Sequence, residues 1–163
     1  LEAALHEDEL EQLNLLHLVQ TYVHHQNPGI IGGAEDVVFE ADQQLIYVAG
    51  VDYRIEQLLD KLLDNARDFR TEGSLITVRL YQQDYDCYLE VENNGPNIPL
   101  ELIAGMFNSM VSARTAGASH AHFGLGLYIV RLISQFHGGT VSAHNFSQPE
   151  GVMFRVRLPV LLV

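Results

Sequence analysis

The stretch "SLITVRLYQQDYDCYLEVENNGPNIP", residues 74–99, decides the fold class of this chain. Apolar and polar residues alternate on both sides of "QQDYD", which is the pattern of two antiparallel strands joined by a tight turn. One face of this predicted hairpin collects Ile76, Val78 and Leu80 from its first strand and Tyr85, Cys87, Leu89 and Val91 from its second. The opposite face is acidic and is expected to meet solvent, with Asp84, Asp86, Glu90 and Glu92.

The hairpin ends in an amide-rich elbow, "VENNGPNIP", residues 91–99. Its asparagines, Asn93, Asn94 and Asn97, are poor strand formers that tolerate a left-handed backbone, so the chain is expected to turn here. Two prolines stiffen the segment. An amide-rich turn directly after a buried strand is a candidate binding element as well as a change of direction.

Cys87 is the only cysteine, which excludes an internal disulfide and is typical of a reducing compartment. It lies on the apolar face of the hairpin with no activating base nearby in the sequence. We therefore expect a small core side chain at this position and not a nucleophile.

The composition suits one globular domain, because 47% of the 163 residues are hydrophobic and 18% are charged. A net charge of −12 argues against nucleic acid as a partner, since phosphate contacts need clustered Lys or Arg. A polyanionic ligand would have to be held locally, by backbone N–H groups, a metal or a placed cation such as Lys61, the single lysine. No signal peptide or bilayer-length apolar run is visible, so no direct membrane insertion of this chain is expected.

The other segments alternate between helical and extended patterns. Apolar residues at a helical period predict helices over Leu10–Val23, from an N-cap at Asp52 to Phe69, and from the glycine-rich start at Gly124 to a stop at Gly138–Gly139. Extended patterns predict strands in "DVVFEA" and "QLIYVAG", around a turn at residues 41–43, and in "TVSAHNF" and "GVMFRVRLPVLL". Helices and strands that segregate into two layers, with hairpin-like strand connections, predict an α+β fold.

Two stretches carry chemistry of their own. In "FGLGLYIV" the glycines Gly124 and Gly126 open a predicted helix, whose free amides and dipole would suit a phosphate; the alternative is a tight turn into a core helix. Asn65 interrupts an apolar helical register, and its amide oxygen could ligate Mg²⁺; the alternative is an asparagine bonded to a neighbouring backbone group.

Four motifs in a fixed order give these stretches a common meaning. "LLDNARDF", "VENNGPNIP", "MFNSM" and "FGLGLYIV" resemble the N, G1, F and G2 boxes of the GHKL ATPase superfamily. Within it, the chain resembles the catalytic ATP-binding domain of bacterial sensor histidine kinases over about residues 37 to 160. The resemblance implies the Bergerat fold, a two-layer α/β sandwich with a mixed, mainly antiparallel sheet and helices on one face.

The same resemblance implies a role for individual residues near the base and the metal. Asn65 would hold a Mg²⁺ that bridges the ATP phosphates, and Phe69 would pack near the adenine. Asn93 stands where the family has an aspartate that accepts from the adenine amino group. Gly95 would allow close approach of the base, and Ile98 would line its pocket.

At the phosphate end, the resemblance implies a lid over residues 112–123, from whose base Arg114 could reach the phosphates. Lys61 would lie near the phosphates as a point charge. The amides of the G2 box would cradle them, namely those of Gly124, Leu125, Gly126 and Leu127.

The departures from the family pattern have unequal consequences. Asn93 and Asn97 occupy the first and last positions of D-x-G-x-G, and His122 opens the G2 motif. Asn93 keeps an acceptor oxygen, and its NH₂ could also donate to adenine N1, so we expect adenine affinity to fall by ~1–2 kcal/mol and not to vanish. Asn97, which the resemblance places among the ATP-binding residues, can adopt a positive φ as glycine would. Lys61 replaces the usual kinase asparagine and cannot act as a general base, which disfavours ATP hydrolysis relative to phosphoryl transfer.

The resemblance also implies an organisation and a function. Residues 1–27 would be the tail of a linker from a missing dimerisation and phosphoacceptor domain, and residues 28–163 the ATP-binding domain. The chain would position Mg·ATP for phosphoryl transfer to a histidine on that other domain, with no catalytic residue of its own. A response regulator would receive the phosphate from the full-length protein, and this domain would be the cytoplasmic part of an inner-membrane sensor. The alternative is a degenerate nucleotide-binding module, with weak or no kinase activity, that acts through protein contacts.

Overall fold

The predicted hairpin forms the centre of a five-stranded sheet in the computed structural model, which describes residues 1–27, 36–42, 45–108 and 121–162, the side chains of 121–125 excepted. The helices are α1 (Glu2–Glu7), α2 (Leu15–Gln26), α3 (Asp52–Phe69), α4 (Leu100–Ile103) and α5 (Ala121–Phe136). The strands are β1 (Glu11–Asn14), β2 (Val37–Glu40), β3 (Tyr47–Gly50), β4 (Ile76–Gln83), β5 (Asp86–Asn94), β6 (Thr140–Phe146) and β7 (Gly151–Pro159).

The large sheet has the strand order β2-β4-β5-β7-β6. Only the β2–β4 pair is parallel; β4–β5, β5–β7 and β6–β7 are antiparallel. Strand β5 therefore lies in the middle of the sheet, and its last residues, which open the elbow, are flanked by β4 and β7. The predicted α+β class with a mixed, mainly antiparallel sheet is confirmed.

The two predicted strands before α3 do form, but they do not pair with each other. β2 joins the large sheet beside β4, whereas β3 pairs with β1 in a separate two-stranded sheet. The prediction of one helix over Leu10–Val23 is wrong at its start, because β1 occupies Glu11–Asn14 and α2 begins at Leu15. The Asn14 side chain caps α2 by accepting from the backbone N–H of His17 at 3.1 Å.

Residues 1–27 belong to the hydrophobic core of the domain. Leu5, Leu15, Val19 and Val23 are buried in the same cluster as the apolar faces of α3 and of the large sheet. Just after α1, Asp8 accepts from the Arg54 guanidinium of α3 at 2.6 Å. The segment expected to be a linker tail thus supplies two helices and a strand to the folded unit.

The outer face of the hairpin differs from expectation at Glu90, which is only 4% exposed. Its carboxylate accepts from Arg155 Nε at 2.7 Å, Tyr81 Oη at 2.8 Å and Arg79 Nη1 at 3.3 Å. Burial opposes ionisation, but the hydrogen bonds from Arg155 and Tyr81 outweigh it and leave the pKa of Glu90 below its usual range. The period-2 pattern identified the outer face correctly, but it could not show that long side chains from neighbouring strands would cover this carboxylate.

Smaller corrections concern the ends of elements. Tyr85, expected on the buried face, lies in the β4–β5 turn beside Asp84, which has a φ of 57°, and is 73% exposed. Helix α3 has Val51 as its N-cap, one residue before the predicted Asp52. Cys87 is buried as expected, and burial, with the neighbouring Asp86 charge, raises the pKa of its thiol to about 12.

His137 joins the end of α5 to the start of α3. Its Nε2 accepts from the backbone N–H of Val51 at 3.1 Å, so Nδ1 carries the proton and donates to the Ile133 carbonyl at 2.8 Å. The imidazole is 4% exposed, and burial lowers its pKa below 6.5 even though the Ile133 carbonyl and the Asp8 charge act in the opposite direction. The neutral ring is therefore a structural tie between the two long helices.

This tie predicts an acid-sensitive contribution to stability. Because the pKa of His137 is lower in the folded state than its ordinary 6.5, the unfolded chain binds more protons as the pH falls below that value. The free energy of unfolding should therefore fall as the pH drops below 6.5 and level off below the folded-state pKa. Urea unfolding between about pH 7.5 and about pH 5.5 should show a flatter dependence for His137→Gln than for wild type. An unchanged slope in His137→Gln would contradict the assignment.

Candidate functional site

One face of α3 carries three of the candidate residues at successive four-residue steps. Lys61, Asn65 and Phe69 therefore lie along a single stripe of the helix. Asn65 is 4% exposed, and its amide nitrogen has no hydrogen-bond partner among the described residues. An unpartnered buried amide nitrogen costs about 1–3 kcal/mol, so Asn65 in its apolar register is a candidate for contact with a ligand.

The elbow starts with a side chain whose orientation is set by its neighbour. Asn93 is 3% exposed, and its Nδ2 donates to the carbonyl of Asn94 at 3.2 Å. The same carbonyl accepts from the backbone N–H of Thr71 at 2.7 Å, which links the elbow to the end of α3. With Nδ2 engaged in this way, Oδ1 is the atom of the Asn93 amide that remains for a ligand donor.

Gly95 lies directly against the end of α3. Its φ is +154°, and a Cβ at this position would be 2.2 Å from the carbonyl oxygen of Phe69. A side chain is thus excluded by backbone, which cannot move aside as a flexible side chain could. The stripe on α3 and the elbow meet at this contact.

The second half of the elbow is bonded to the β6–β7 connection. Asn97 Nδ2 donates to the carbonyls of Gly151 at 2.8 Å and Phe146 at 3.1 Å. The backbone N–H of Ile98 donates to Asn145 Oδ1 at 2.9 Å, and the Ile98 side chain is buried in the core. Positive φ among the described non-glycine residues occurs only at Asp84 and Gln148, so Asn97 does not use the left-handed backbone that it was expected to tolerate.

Helix α5 brings the G2 glycines to the stripe on α3. A Cβ on Gly126 would lie 3.8 Å from Cβ and Cδ of Lys61, so the lysine stem passes beside this glycine. The helix begins at Ala121, three residues before Gly124, so its unpaired N–H groups belong to the turn that starts there. The amides of Leu125, Gly126 and Leu127, which were expected to cradle the phosphates, lie within the hydrogen-bonded part of the helix. Arg114 and residues 112–120 of the predicted lid lie outside the described part of the chain.

The basic residues around Asn65 are not equally available to a ligand. Arg70 is paired with Asp36, and Arg67 lies 3.5 Å from the same carboxylate and donates to Gln26 at 3.1 Å. Lys61 makes no ion pair with the described residues. It is therefore the cation near Asn65 and Gly126 that is free to approach an anion.

Sequence reasoning missed two residues that support the elbow, Asn145 and Glu150. Asn145 follows Val141 and Ala143 at period-2 spacing on β6, so a polar residue in the inward-facing series was a visible signal. Glu150 lies in a turn whose sequence, "SQPEG", is polar throughout, and nothing local distinguishes it from other surface acids.

Similarity to known proteins identifies the family. Residues 50–162 match the family model described as "Histidine kinase-, DNA gyrase B-, and HSP90-like ATPase". The chain belongs to this family. It is 39% identical to the sensor protein ChvG of Agrobacterium fabrum over an aligned region of 117 residues. This region covers 71% of this chain and 20% of that protein. It is 34% identical over 116 residues to the probable sensor histidine kinase TcrY of Mycobacterium tuberculosis, which covers 71% of this chain and 24% of that protein.

Solved structures agree with this placement. The catalytic domain of the histidine kinase ThkA superposes with a TM-score of 0.75 at 28% identity, covering 93% of this chain and 97% of that one. ThkA in complex with the response regulator protein TrrA gives the same TM-score of 0.75 at 27% identity, covering 93% of this chain and 42% of that one. The chain is thus an ATP-binding catalytic domain of the sensor histidine kinase type, as the four ordered motifs predicted.

The chain spans about a fifth of the length of the curated relatives, 20% of ChvG and 24% of TcrY, and so corresponds to one part of such proteins. Among the described residues, no helix is both long and apolar enough to cross a bilayer.

Because Gly95 contacts the backbone of Phe69 so closely, adding a single methyl group at residue 95 should strongly lower the stability of the fold. Gly95→Ala should lower the free energy of unfolding by about 2 kcal/mol or more, because the new Cβ meets backbone at 2.2 Å. Gly73 is a matched control, since it also has a positive φ, +80°, but a Cβ there would have nothing within 4 Å. Gly73→Ala should therefore cost only about 1 kcal/mol for its left-handed backbone. Thermal or urea unfolding compares the two, and equal losses would contradict a tight contact at Gly95.

Proposed function

We propose that the chain binds Mg·ATP between α3, the elbow and the start of α5, and presents the γ-phosphate to a histidine on a separate domain. The observation that carries the proposal is the buried amide nitrogen of Asn65, which has no hydrogen-bond partner among the described residues. It lies four residues after Lys61 and four before Phe69, on a helix that contacts both the elbow glycine and the G2 glycine Gly126. One face of α3 thereby connects the proposed adenine end of the site, at the elbow, with the proposed phosphate end, at Gly126.

At the adenine end, Asn93 is the residue that would read the base. Its Nδ2 is engaged with the Asn94 carbonyl, which leaves Oδ1 as an acceptor for the 6-amino group of adenine. The Asn94 carbonyl takes only one of the two hydrogens of this NH₂ group, so the additional donation to adenine N1 stays compatible with this orientation. Gly95, Phe69 and Ile98 would complete the pocket by close backbone approach and apolar contact.

At the phosphate end, the ligands would be backbone amides and one free cation. The first turn of α5, which begins at Ala121, offers unpaired N–H groups and the positive end of the helix dipole just before Gly124 and Leu125. Gly126, Leu127 and the Lys61 ammonium would lie next to them. Arg114 would reach the phosphates from the lid.

Asn65 fits a role as the protein ligand to Mg²⁺. The ligand would be the amide oxygen, because Nδ2, the atom without a hydrogen-bond partner among the described residues, is a donor. Mg²⁺ commonly takes one or two protein oxygens and several from phosphates and water. When bound, the ion would neutralise charge on the phosphates. The protein's own contribution is to hold the amide rigidly on α3 and to exclude water with the surrounding leucines.

The chemistry assigned to this chain is positioning and charge compensation. No residue here is proposed as a general base, because the acceptor histidine would lie on another domain. Lys61, whose ammonium cannot take a proton from water, makes ATP hydrolysis by this domain alone unfavourable relative to phosphoryl transfer.

The partners would be the dimerisation and phosphoacceptor domain of the parent protein and, through it, a response regulator. The domain would lie in the cytoplasm, and the parent would be an inner-membrane sensor.

Calorimetric titration with a non-hydrolysable ATP analogue and Mg²⁺ tests the proposal. Wild type should saturate in the micromolar range, and Asn65→Leu should lose at least about tenfold in affinity. The same substitution removes a buried unsatisfied amide at similar volume, so the free energy of unfolding should stay equal or rise by about 1 kcal/mol. Loss of binding without loss of stability would separate a ligand-holding asparagine from a structural one. Absence of heat from wild type up to millimolar ligand would instead favour a degenerate module that acts through protein contacts.

Substitutions at Asn93 test how the base is read. Asn93→Ala should weaken binding of the ATP analogue by about 1–2 kcal/mol, because the acceptor is lost. Asn93→Asp should tighten binding through a charge-assisted hydrogen bond to the adenine amine. It should also lower the melting temperature of the nucleotide-free protein, because a carboxylate oxygen would replace the donor that now faces the Asn94 carbonyl. Unchanged affinity in both variants would remove Asn93 from the pocket.

A further inference from the structure

The elbow is attached to the β6–β7 connection by side-chain amides and one carboxylate as well as by the sheet. Asn97 uses both hydrogens of its NH₂ group, one on the Gly151 carbonyl at 2.8 Å and one on the Phe146 carbonyl at 3.1 Å. These carbonyls belong to the paired residues that end β6 and begin β7. The Asn97 side chain, at the last position of the G1 motif, thus bridges the two strands of the β6–β7 hairpin next to their connecting turn.

Asn145 makes a reciprocal pair with the next elbow residue. Its Oδ1 accepts from the backbone N–H of Ile98 at 2.9 Å, and its Nδ2 donates to the carbonyl of the same residue at 2.8 Å. The amide therefore imitates one rung of an antiparallel ladder at a place where the elbow has left the sheet. Ile98 is held in register by this pair, with its side chain 5% exposed in the core.

Glu150 completes the attachment from the turn. Its carboxylate Oε1 accepts from the backbone N–H of Asn97 at 2.8 Å, and its backbone carbonyl accepts from the N–H of Gly95 at 3.0 Å. The packing is close as well, since a Cβ on Gly151 would lie 2.5 Å from the Asn93 carbonyl oxygen. From Asn93 to Ile98, the elbow is thus fastened along its length to residues 145–151.

We propose that Asn97, Asn145 and Glu150 are positioning residues that pre-form the adenine floor of the nucleotide site. They act through the backbone of Gly95, Asn97 and Ile98 and need not touch the nucleotide. This inference rests on the proposed nucleotide-binding function and deepens it. It also reassigns Asn97 from a nucleotide contact to an anchor of the pocket.

The physical reason is pre-organisation. Asn93 offers a neutral acceptor where a carboxylate would form a stronger hydrogen bond. Affinity therefore depends more on how little conformational entropy the elbow loses when the nucleotide binds. We call the side chains of Asn97, Asn145 and Glu150 the clamp. An elbow without the clamp would sample several backbone conformations and would lose that conformational freedom on binding. Three polar side chains outside the pocket would therefore control how well the base is held.

Glu150 provides the sharpest pair of variants, because its side chain is exposed in a turn and lies outside the core. Glu150→Ala removes the acceptor for the Asn97 N–H, whereas Glu150→Gln keeps an acceptor oxygen and removes the charge. Asn97→Gly removes the side-chain anchor and restores the residue typical of the motif. Leu100→Ala, a 77% exposed side chain just after the elbow, is the control for substitution itself.

The measurements are affinities of these folded variants for a non-hydrolysable ATP analogue with Mg²⁺ and for inorganic tripolyphosphate with Mg²⁺. Glu150→Ala and Asn97→Gly should each weaken the ATP analogue by about tenfold and leave tripolyphosphate binding unchanged. Glu150→Gln and Leu100→Ala should bind both ligands like wild type. Amide hydrogen exchange of residues 94–98 in the nucleotide-free protein should accelerate in the two clamp variants and not in the controls.

Two results would overturn the inference. If wild type binds the ATP analogue and the clamp variants bind it equally well, the proposed function stands and the positioning role falls. If the clamp variants lose both ligands in proportion, the residues are structural and not specific to the base. A wild type that binds tripolyphosphate but not the ATP analogue would refute the adenine pocket, and the positioning role would fall with it.

Discussion

The candidate site depends on one close contact between two backbones. The carbonyl of Phe69, at the end of α3, occupies the space that a Cβ on Gly95 would need. The N–H of Thr71 donates to the Asn94 carbonyl at 2.7 Å immediately beside it. Because a long helix and the central strand of the sheet are joined at this point, residues far apart in sequence are held at fixed positions around it. The elbow is thus part of the rigid framework and not a surface loop.

Polar groups in this region are retained at an energetic cost. Asn65 has a buried amide nitrogen without a partner among the described residues, which is costly on a helix whose other buried residues are all apolar. Asn93 and Asn145 are also polar side chains on the inward-facing series of the sheet, but each has a defined hydrogen bond. The difference indicates distinct roles: Asn145 supports the backbone, Asn93 is oriented by it, and Asn65 remains available to a ligand.

Much of the fold could be predicted from local patterns. The β4–β5 hairpin and helix α3 follow from strict periods of 2 and 3.6, and the four ordered motifs identified the family. Pairing was harder, since alternation marks β2 and β3 as strands but does not show that they join different sheets. Helix boundaries also moved: α5 starts at Ala121 because a glycine pair does not prevent helical backbone when a folded neighbour supports it.

By itself, the sequence determined the α+β class, most of the buried face of the hairpin and the family, and it supplied a set of candidate nucleotide-binding residues. Only the tertiary structure decided how those residues are used. It turned the Asn93 amide by engaging Nδ2 with the Asn94 carbonyl, and it tied the Asn97 side chain to the β6–β7 connection. It also covered Glu90 with arginines from neighbouring strands. The physical reason is that side-chain orientation and burial depend on partners distant in sequence, whereas periodicity and motif order are properties of neighbouring residues.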